Sequence, residues 1–487
     1  MSRIKAASKD TLIYGVGMSL QKVIGFLLLP FYTRALSPAE YGVLSTISVL
    51  IFFVSTILGF GLDGATSRYF FKVKVIDEQK KVLSTSLVLN LILNIPIILL
   101  ACLFAPQISN VLFGSQQYES AVLIALLLIP IQAINKLQNI MYRYFRKVWQ
   151  FAWMSSIRAI VFPCLGILFV VYLKWSVFGA QLATFITTII LVIYSYFIIS
   201  KPLLKIKLYD KKYAVQLLKF GAPLIFAGIV SWVNSVSDRF FLLHYCDLSN
   251  VGLYSIASSF SQPIQLFNTA LSMGVGILIL SSFEKEKDPN KPETKKFQTE
   301  VWHIYLYIGV VVSVVLSLFS IELAQLATTP QYVPAMVALP WLLLSHILVY
   351  STQLTGNGMT LMMNSKPYPI MLTSAALLNV GLNFYFIPKW GFLGAAITTV
   401  ISNLFYFLFA YLWSQRVYHI ERSLLKPLFL LLFLFALSIS IVYFQINEIY
   451  QLSYVYKSII ISLVIILPLF SRKNRVLFAN FINKFVK

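Results

Sequence analysis

Residues 174–184 read KWSVFGAQLAT, and residues 389–399 read KWGFLGAAITT. Lys-Trp, Gly-Ala and Thr recur at a constant offset of 215, each time between two long apolar runs. Two further matches lie in the same order. Tyr118 and Ala121 return as Tyr332 and Ala335 at an offset of 214, and Leu36-Ser37 leading to Gly42 returns as Leu248-Ser249 leading to Gly252, 210 apart at the glycine. One match of this kind means little. Three in order, with offsets that drift slowly, indicate an internal duplication.

The duplicated unit is built from apolar runs. Those near 11–34, 41–67, 82–105, 120–142, 151–173 and 177–199 are each long enough to cross about 30 Å of hydrocarbon as helix. A second series lies near 214–245, 250–280, 299–327, 333–363, 367–388 and 391–414, and runs at 427–446 and 452–470 bring the total to fourteen. The predicted fold is therefore all-α: a polytopic membrane protein of about 14 transmembrane helices. A six-helix lobe occupies residues 1–212, a second occupies 213–415, and two additional spans with a tail occupy 416–487. Six is an even number, so the copies share one orientation and form a parallel repeat about an axis along the membrane normal.

Composition points the same way. Of 487 residues, 59% are hydrophobic and 11% charged, against about a quarter charged in soluble domains. The spans leave no length for a separate soluble domain. The net charge of +22 would ordinarily suggest a nucleic-acid partner, but position removes that reading. Thirty of the 39 basic residues fall on the side of the N-terminus, and only Arg34, Lys174, Lys389 and Lys457 fall opposite. By the positive-inside rule both termini are cytoplasmic, in a multi-pass protein of the cytoplasmic (inner) membrane. No small-residue cleavage site follows Arg3, Lys5 and Lys9, so the first span reads as retained.

No catalytic signature accompanies the spans. Cys102, Cys164 and Cys246 stand apart, and His244, His303, His346 and His419 show no metal-ligand spacing. There is no phosphate-binding loop and no acid/base or nucleophile constellation, so neither an enzyme nor a cofactor is expected.

The remaining five basic residues, Lys22, Arg68, Lys136, Arg158 and Arg239, lie inside or at the ends of spans. A charge near mid-bilayer costs at least about 2.5–3.5 kcal/mol, so it faces a cavity or a partner. Lys22 stands mid-span on a face with Gly15, Ser19 and Thr33. Arg158 and Lys136 lie about two turns into their spans, where they either enter a cavity or snorkel. Asp63 and Arg68 suit a surface ion pair. Ser231, Asn234, Ser235 and Asp238 form a polar stripe, with Arg239 beside it. Asp63 and Asp238 are candidates for ion coupling or for structural ion pairs.

Several segments carry a family resemblance: residues 33–42 (TRALSPAEYG), Gly61-Leu62-Asp63-Gly64-Ala65 with Arg68-Tyr69-Phe70, and Asp238-Arg239-Phe240 followed by residues 251–257 (VGLYSIA). With the repeated Lys-Trp segments, the chain resembles the polysaccharide transporter, or O-antigen flippase, family of the multidrug/oligosaccharidyl-lipid/polysaccharide exporter superfamily, over essentially its whole length. The resemblance implies a two-lobed bundle that moves a polyprenyl-pyrophosphate-linked oligosaccharide to the outer leaflet by alternating access. Its partners would be the bilayer, the lipid-linked glycan and the glycan assembly machinery. It also implies a cationic cavity for the anionic headgroup, to which Lys22, Arg158 and Arg239 would contribute. Since these cations are concentrated in the first lobe, that lobe would grip pyrophosphate and the second would meet sugar.

Two rival functions remain. A cation-coupled drug or metabolite antiporter of the same superfamily would favour buried carboxylates over buried cations. A membrane-embedded glycosyltransferase or glycan polymerase would need a substantial catalytic outer loop.

Overall fold

The structure, a computed structural model, describes residues 2–269, 271, 292–362, 366–420, 425–446 and 454–466. It is all-helical among those residues. The chain divides into two compact units, Met1–Ser255 and Ile256–Lys487.

The first unit contains α1 (Ser2–Ala35), α2 (Pro38–Leu58), α3 (Leu62–Lys72), α4 (Ile76–Leu103), α5 (Ala105–Phe113), α6 (Glu119–Tyr144), α7 (Val148–Gly166), α8 (Ser176–Ser195), α9 (Lys211–Val236), α10 (Asp238–Tyr245) and the start of α11 (Leu248–Phe260). The second contains α12 (Pro292–Leu318), α13 (Ser320–Ala327), α14 (Leu339–Leu361), α15 (Pro367–Val417), α16 (Leu425–Ile446) and α17 (Tyr454–Ile466). Among the described residues nine helices are long and apolar enough to cross a membrane. One of them, α15, is two helices joined at Gly391, whose φ of 54° and ψ of −133° break the run where the sequence places the boundary between two spans. Shorter apolar helices at Val23–Ala35, Leu431–Phe444 and Val455–Val464 correspond to the first and the last two expected spans. The expected eighth span, 250–280, lies partly outside the described residues, as do most of the 281–297 loop and the C-terminal tail.

The repeat is visible in local geometry. Ser176 and Gly391, 215 apart, both have positive φ, 46° and 54°. Eight residues after each, Thr184 Oγ1 donates to Ala180 O (3.0 Å) and Thr399 Oγ1 to Ala395 O (2.8 Å). The long helix α4 ends at Leu103 before a short helix opening at Ala105, and α12 ends at Leu318 before one opening at Ser320. Each of these pairs is again 215 apart.

The 33–42 segment explains itself once folded. Ser37 and Glu40 form a capping box at the start of α2, with Ser37 N donating to Glu40 Oε2 (2.8 Å) and Glu40 N to Ser37 Oγ (3.3 Å). Gly42 then allows α11 to approach. A Cβ at Gly42 would lie 1.9 Å from Leu248 O, and a Cβ at Gly252 would lie 1.9 Å from Pro38 O. One turn further, Ser45 and Ser255 share a 2.6 Å hydroxyl hydrogen bond. Gly42/Gly252, Pro38/Leu248 and Ser45/Ser255 are all 210 apart, so the duplicated helix starts meet each other about a local two-fold. Small residues let the backbones close to Cα–H···O distance.

The second span breaks after α2, at Phe60 (φ 48°) and Gly61 (φ 62°). A Cβ at Gly221 of α9 would lie 2.2 Å from Phe60 O, and one at Gly61 would lie 2.3 Å from Gly221 O, so α9 is pressed against the break. The linker before α9 is pinned to α4 by Lys205 N to Ser84 Oγ (3.1 Å) and Asp210 N to Thr85 Oγ1 (3.0 Å).

In the second unit, α17 is tied down by a buried ion pair. Lys457, 1% exposed, donates to Glu322 of α13 and lies 5.3 Å from the Phe319 ring centroid. Sequence reading puts Lys457 among the residues opposite the N-terminus; its pairing with Glu322 follows from a packing that one-dimensional spacing does not show. Removing one partner of a buried pair leaves an uncompensated charge. Lys457→Ala should therefore destabilise by about 2–4 kcal/mol, below the full value because Glu322 stays partly exposed. In a chemical-denaturation series, the Lys457→Met/Glu322→Leu double variant should recover most of that loss.

Candidate functional site

The first unit encloses a cavity of about 520 Å³ among α1, α2, α4, α6, α7 and α8. Its lining mixes aromatic and aliphatic surface (Tyr32, Phe52, Phe162, Leu44, Leu128) with amides and hydroxyls (Ser48, Ser55, Asn90, Asn94, Gln132, Gln181, Thr184) and two charges, Asp63 and Lys136. Each polar group interrupts an otherwise apolar helix, which places it among protein rather than lipid.

The break at Phe60–Gly61 positions the carboxylate. It starts α3 at Leu62, leaving Asp63 in the first turn, where the helix dipole favours negative charge. Lys136 Nζ stands 2.6 Å from Asp63 Oδ2, with both side chains partly exposed. The expected partner of Asp63, Arg68, instead places its guanidinium 4.6 Å from the Phe220 ring centroid on α9. Asp63 and Arg68 are five residues apart, about 140° around the helix, and so present different faces.

The amides divide into two groups. Asn90 Nδ2 donates to Ser86 O (2.9 Å) and Asn94 Nδ2 to Asn90 O (2.8 Å), bonds that fix both side chains along α4. Gln132 and Gln181 make no hydrogen bond among the described residues, although Gln181 is 3% exposed. The hydroxyls of Tyr32 and Ser55 are also buried without a partner. The two unbonded amides leave donors and acceptors of the lining without a protein partner among the described residues.

Of the expected site residues, the structure brings Asp63 to this cavity, while Arg158, Arg239 and Asp238 stand outside its lining. Arg158 sits on α7, one turn before the cavity-lining Phe162 and on the same helical face. It is partly buried, with no hydrogen-bond or ion-pair partner among the described residues. Arg239 is engaged: its Nε donates to Ser45 Oγ (3.0 Å) and Ser255 Oγ (3.3 Å), and its guanidinium lies 5.4 Å from the Tyr254 ring centroid. Asp238 is buried and accepts from Tyr254 Oη (2.8 Å). Lys22 lies in α1, but its side chain is outside the described residues.

Gln132, Gln181, Asn90 and Asn94 escape a search for charges. The signal that finds them is the repeat. At offsets of 214–215, Asn90, Gln132 and Lys136 correspond to Tyr305, His346 and Tyr350, while Thr184 is retained as Thr399. At the 210 offset, Ser55 corresponds to Gln265. In the second unit these positions are filled and mutually bonded. Tyr305 and Tyr350 pack at 4.4 Å between ring centroids, and His346 Nε2 lies 2.9 Å from Gln265 Nε2 and 3.0 Å from Ser261 Oγ. The positions that line a polar cavity in one copy thus hold packed rings in the other.

Comparison with known proteins agrees with this architecture. The chain is 25% identical over 271 residues to Lsg locus protein 1 of Haemophilus influenzae, a match spanning 55% of this chain and 64% of that protein. It is 22% identical over 451 residues to an uncharacterized membrane protein of Methanocaldococcus jannaschii, spanning 87% and 86% of the two chains. Among solved structures, the inward closed conformation of the lipid II flippase MurJ superposes with a TM-score of 0.70 at 16% identity, covering 98% of this chain and all of that one. An inward-facing multidrug resistance transporter of the MATE family, MOP superfamily, gives 0.66 at 17% identity, covering 83% and 96%. At such identities these two structures establish a shared fold. The model of the family described as polysaccharide biosynthesis protein matches residues 7–277, which include the whole cavity. On that match, over more than half of its length, the chain belongs to the polysaccharide biosynthesis protein family.

Proposed function

We propose that this protein is a flippase, not an enzyme, that translocates a polyprenyl-pyrophosphate-linked oligosaccharide across the cytoplasmic membrane for cell-surface polysaccharide biosynthesis of the O-antigen type. The observation that carries the reading is a polar cavity with unsatisfied hydrogen-bonding groups inside a membrane-spanning bundle of this family. A lipid-linked glycan must move a hydrophilic head through hydrocarbon, and a protein that does this has to offer such groups. Both termini are cytoplasmic on the charge distribution. The two six-helix lobes, 1–212 and 213–415, alternate access, with 416–487 as an addition, and the glycan assembly machinery delivers the substrate.

In this reading Lys22 and Arg158 meet the pyrophosphate. Arg239, held here by Ser45 and Ser255, reaches it when that seam parts. Asp63 and Asp238 serve as ion pair or coupling group, and the Asp63–Lys136 contact inside the cavity favours the first role for Asp63. A cation-coupled antiporter is the alternative reading. Deleting the gene from its source cells should abolish the surface polysaccharide and accumulate its lipid-linked precursor, with both reversed by the wild-type gene. Unchanged polysaccharide and precursor levels would reject the proposal.

A further inference from the structure

We infer that the cavity of the first unit is a sugar subsite, which takes an uncharged, hydroxyl-rich unit of the glycan rather than the pyrophosphate; this rests on the flippase reading and specifies where the head of the substrate lies. Charge is the first argument. Among the described residues, Asp63 and Lys136 are the two charged groups of the lining, and they pair at 2.6 Å. Among the described residues, a diphosphate there would meet no net positive charge and would face a carboxylate. Transfer of an anion from water into such surroundings is unfavourable without uncompensated cations.

The chemistry of the lining is the second argument. Gln132 and Gln181 each offer an amide with two donors and an acceptor and make no hydrogen bond among the described residues, and Ser48 adds an exposed hydroxyl that donates to Leu44 O and is left to accept. Asn90 and Asn94 have committed their N–H groups to backbone carbonyls of α4, and their side-chain oxygens remain to accept. Mixed donors and acceptors match vicinal hydroxyls, which both donate and accept. The rings of Tyr32, Phe52 and Phe162 supply apolar surface for the C–H face of a pyranose. A volume of about 520 Å³ lies within the roughly 300–1,000 Å³ of small-ligand sites.

Position is the third. Arg158 lies one turn from Phe162 on the same face of α7, about 6 Å along the helix. That separation suits a phosphate held by the guanidinium with the attached sugar in the cavity. The expectation that the first lobe holds pyrophosphate and the second holds sugar is thereby revised, and both contacts fall in the first unit. The second unit holds Tyr305, His346 and Tyr350 where the first has Asn90, Gln132 and Lys136.

The test uses the full-length protein in lipid nanodiscs and ligand-observed NMR. The probes are methyl glycosides of glucose, galactose, mannose, rhamnose and N-acetylglucosamine, with inorganic pyrophosphate as the comparison. At least one glycoside should bind. Gln181→Leu and Gln132→Leu should each weaken it about tenfold or more, the worth of a hydrogen bond to an otherwise unsatisfied buried group, without changing pyrophosphate binding. Ser48→Ala, which removes one exposed hydroxyl of the lining and little packing, should weaken it severalfold and guards against misfolding of the leucine variants. Absence of glycoside binding, or glycoside binding indifferent to all three changes, would overturn the inference. So would loss of pyrophosphate binding in Gln181→Leu. Transport of native lipid-linked glycan by the same wild-type preparation separates the two levels: if it persists while sugar binding fails the test, only the subsite falls, and if it is absent, the flippase reading falls.

Discussion

Gly252→Ala and Gly42→Ala are each expected to destabilise the purified protein by about 2–3 kcal/mol or more, although each adds a single methyl group. The added carbon would sit 1.9 Å from a backbone carbonyl oxygen in either case. A carbonyl in a helix cannot rotate away, so α2 and α11 must separate, and the Ser45–Ser255 hydrogen bond and both Arg239 contacts separate with them. Because each substitution opens the same seam, the double variant should lose clearly less than the sum of the singles. Gly25→Ala is the control. A Cβ there meets nothing within 4 Å, and alanine's better helix propensity should leave stability unchanged or slightly higher. A wild-type melting curve for Gly252→Ala would show that the two helices do not meet in this way.

The second large effect concerns Arg158, for which stability and transport should move in opposite directions. A guanidinium with no partner among the described residues, on a helix face that continues into the cavity lining, is unfavourable in the free protein. Arg158→Leu should leave the melting temperature unchanged or raise it, since an apolar side chain replaces a charge with no partner among the described residues. Transport should fall by about 30- to 1,000-fold, because losing a desolvated charge contact costs about 2–5 kcal/mol. Arg158→Lys should recover only part of the rate, as an ammonium keeps the charge but loses the bidentate fork. If Arg158→Leu lost stability and transport together, the residue would be structural, with a partner among groups outside the described residues.

The spans and the duplication were legible in the chain itself, because apolar run length and the repeated Lys-Trp and Gly-Ala turns act over tens of residues. Even the division of the 367–414 region into two spans was readable, since Gly391 follows the repeated Lys-Trp. Breaks inside spans were not legible. The interruption at Phe60–Gly61 depends on two φ values and on the pressure of Gly221, and hydropathy averages over both. Ion-pair partners were hidden for a similar reason. Asp63 found Lys136, 73 residues away, and Lys457 found Glu322, 135 away. The cavity leaves little trace in the sequence because its polar lining is mostly neutral amide and hydroxyl spread over separate helices, which patterns of charge and of apolar run length do not register.

The proposed activity is movement of a lipid-linked glycan, with Arg158 in contact with the diphosphate. It is tested most directly in vesicles reconstituted with the purified protein and loaded with labelled polyprenyl-pyrophosphate-linked oligosaccharides extracted from the source cells. Accessibility of the glycan to an impermeant enzyme reports its leaflet. Wild-type protein should give rapid exchange of glycan between leaflets, and Arg158→Leu near-background exchange. No exchange above empty vesicles with wild-type protein that still exports cationic drugs would contradict the proposal and assign the chain to the antiporter class.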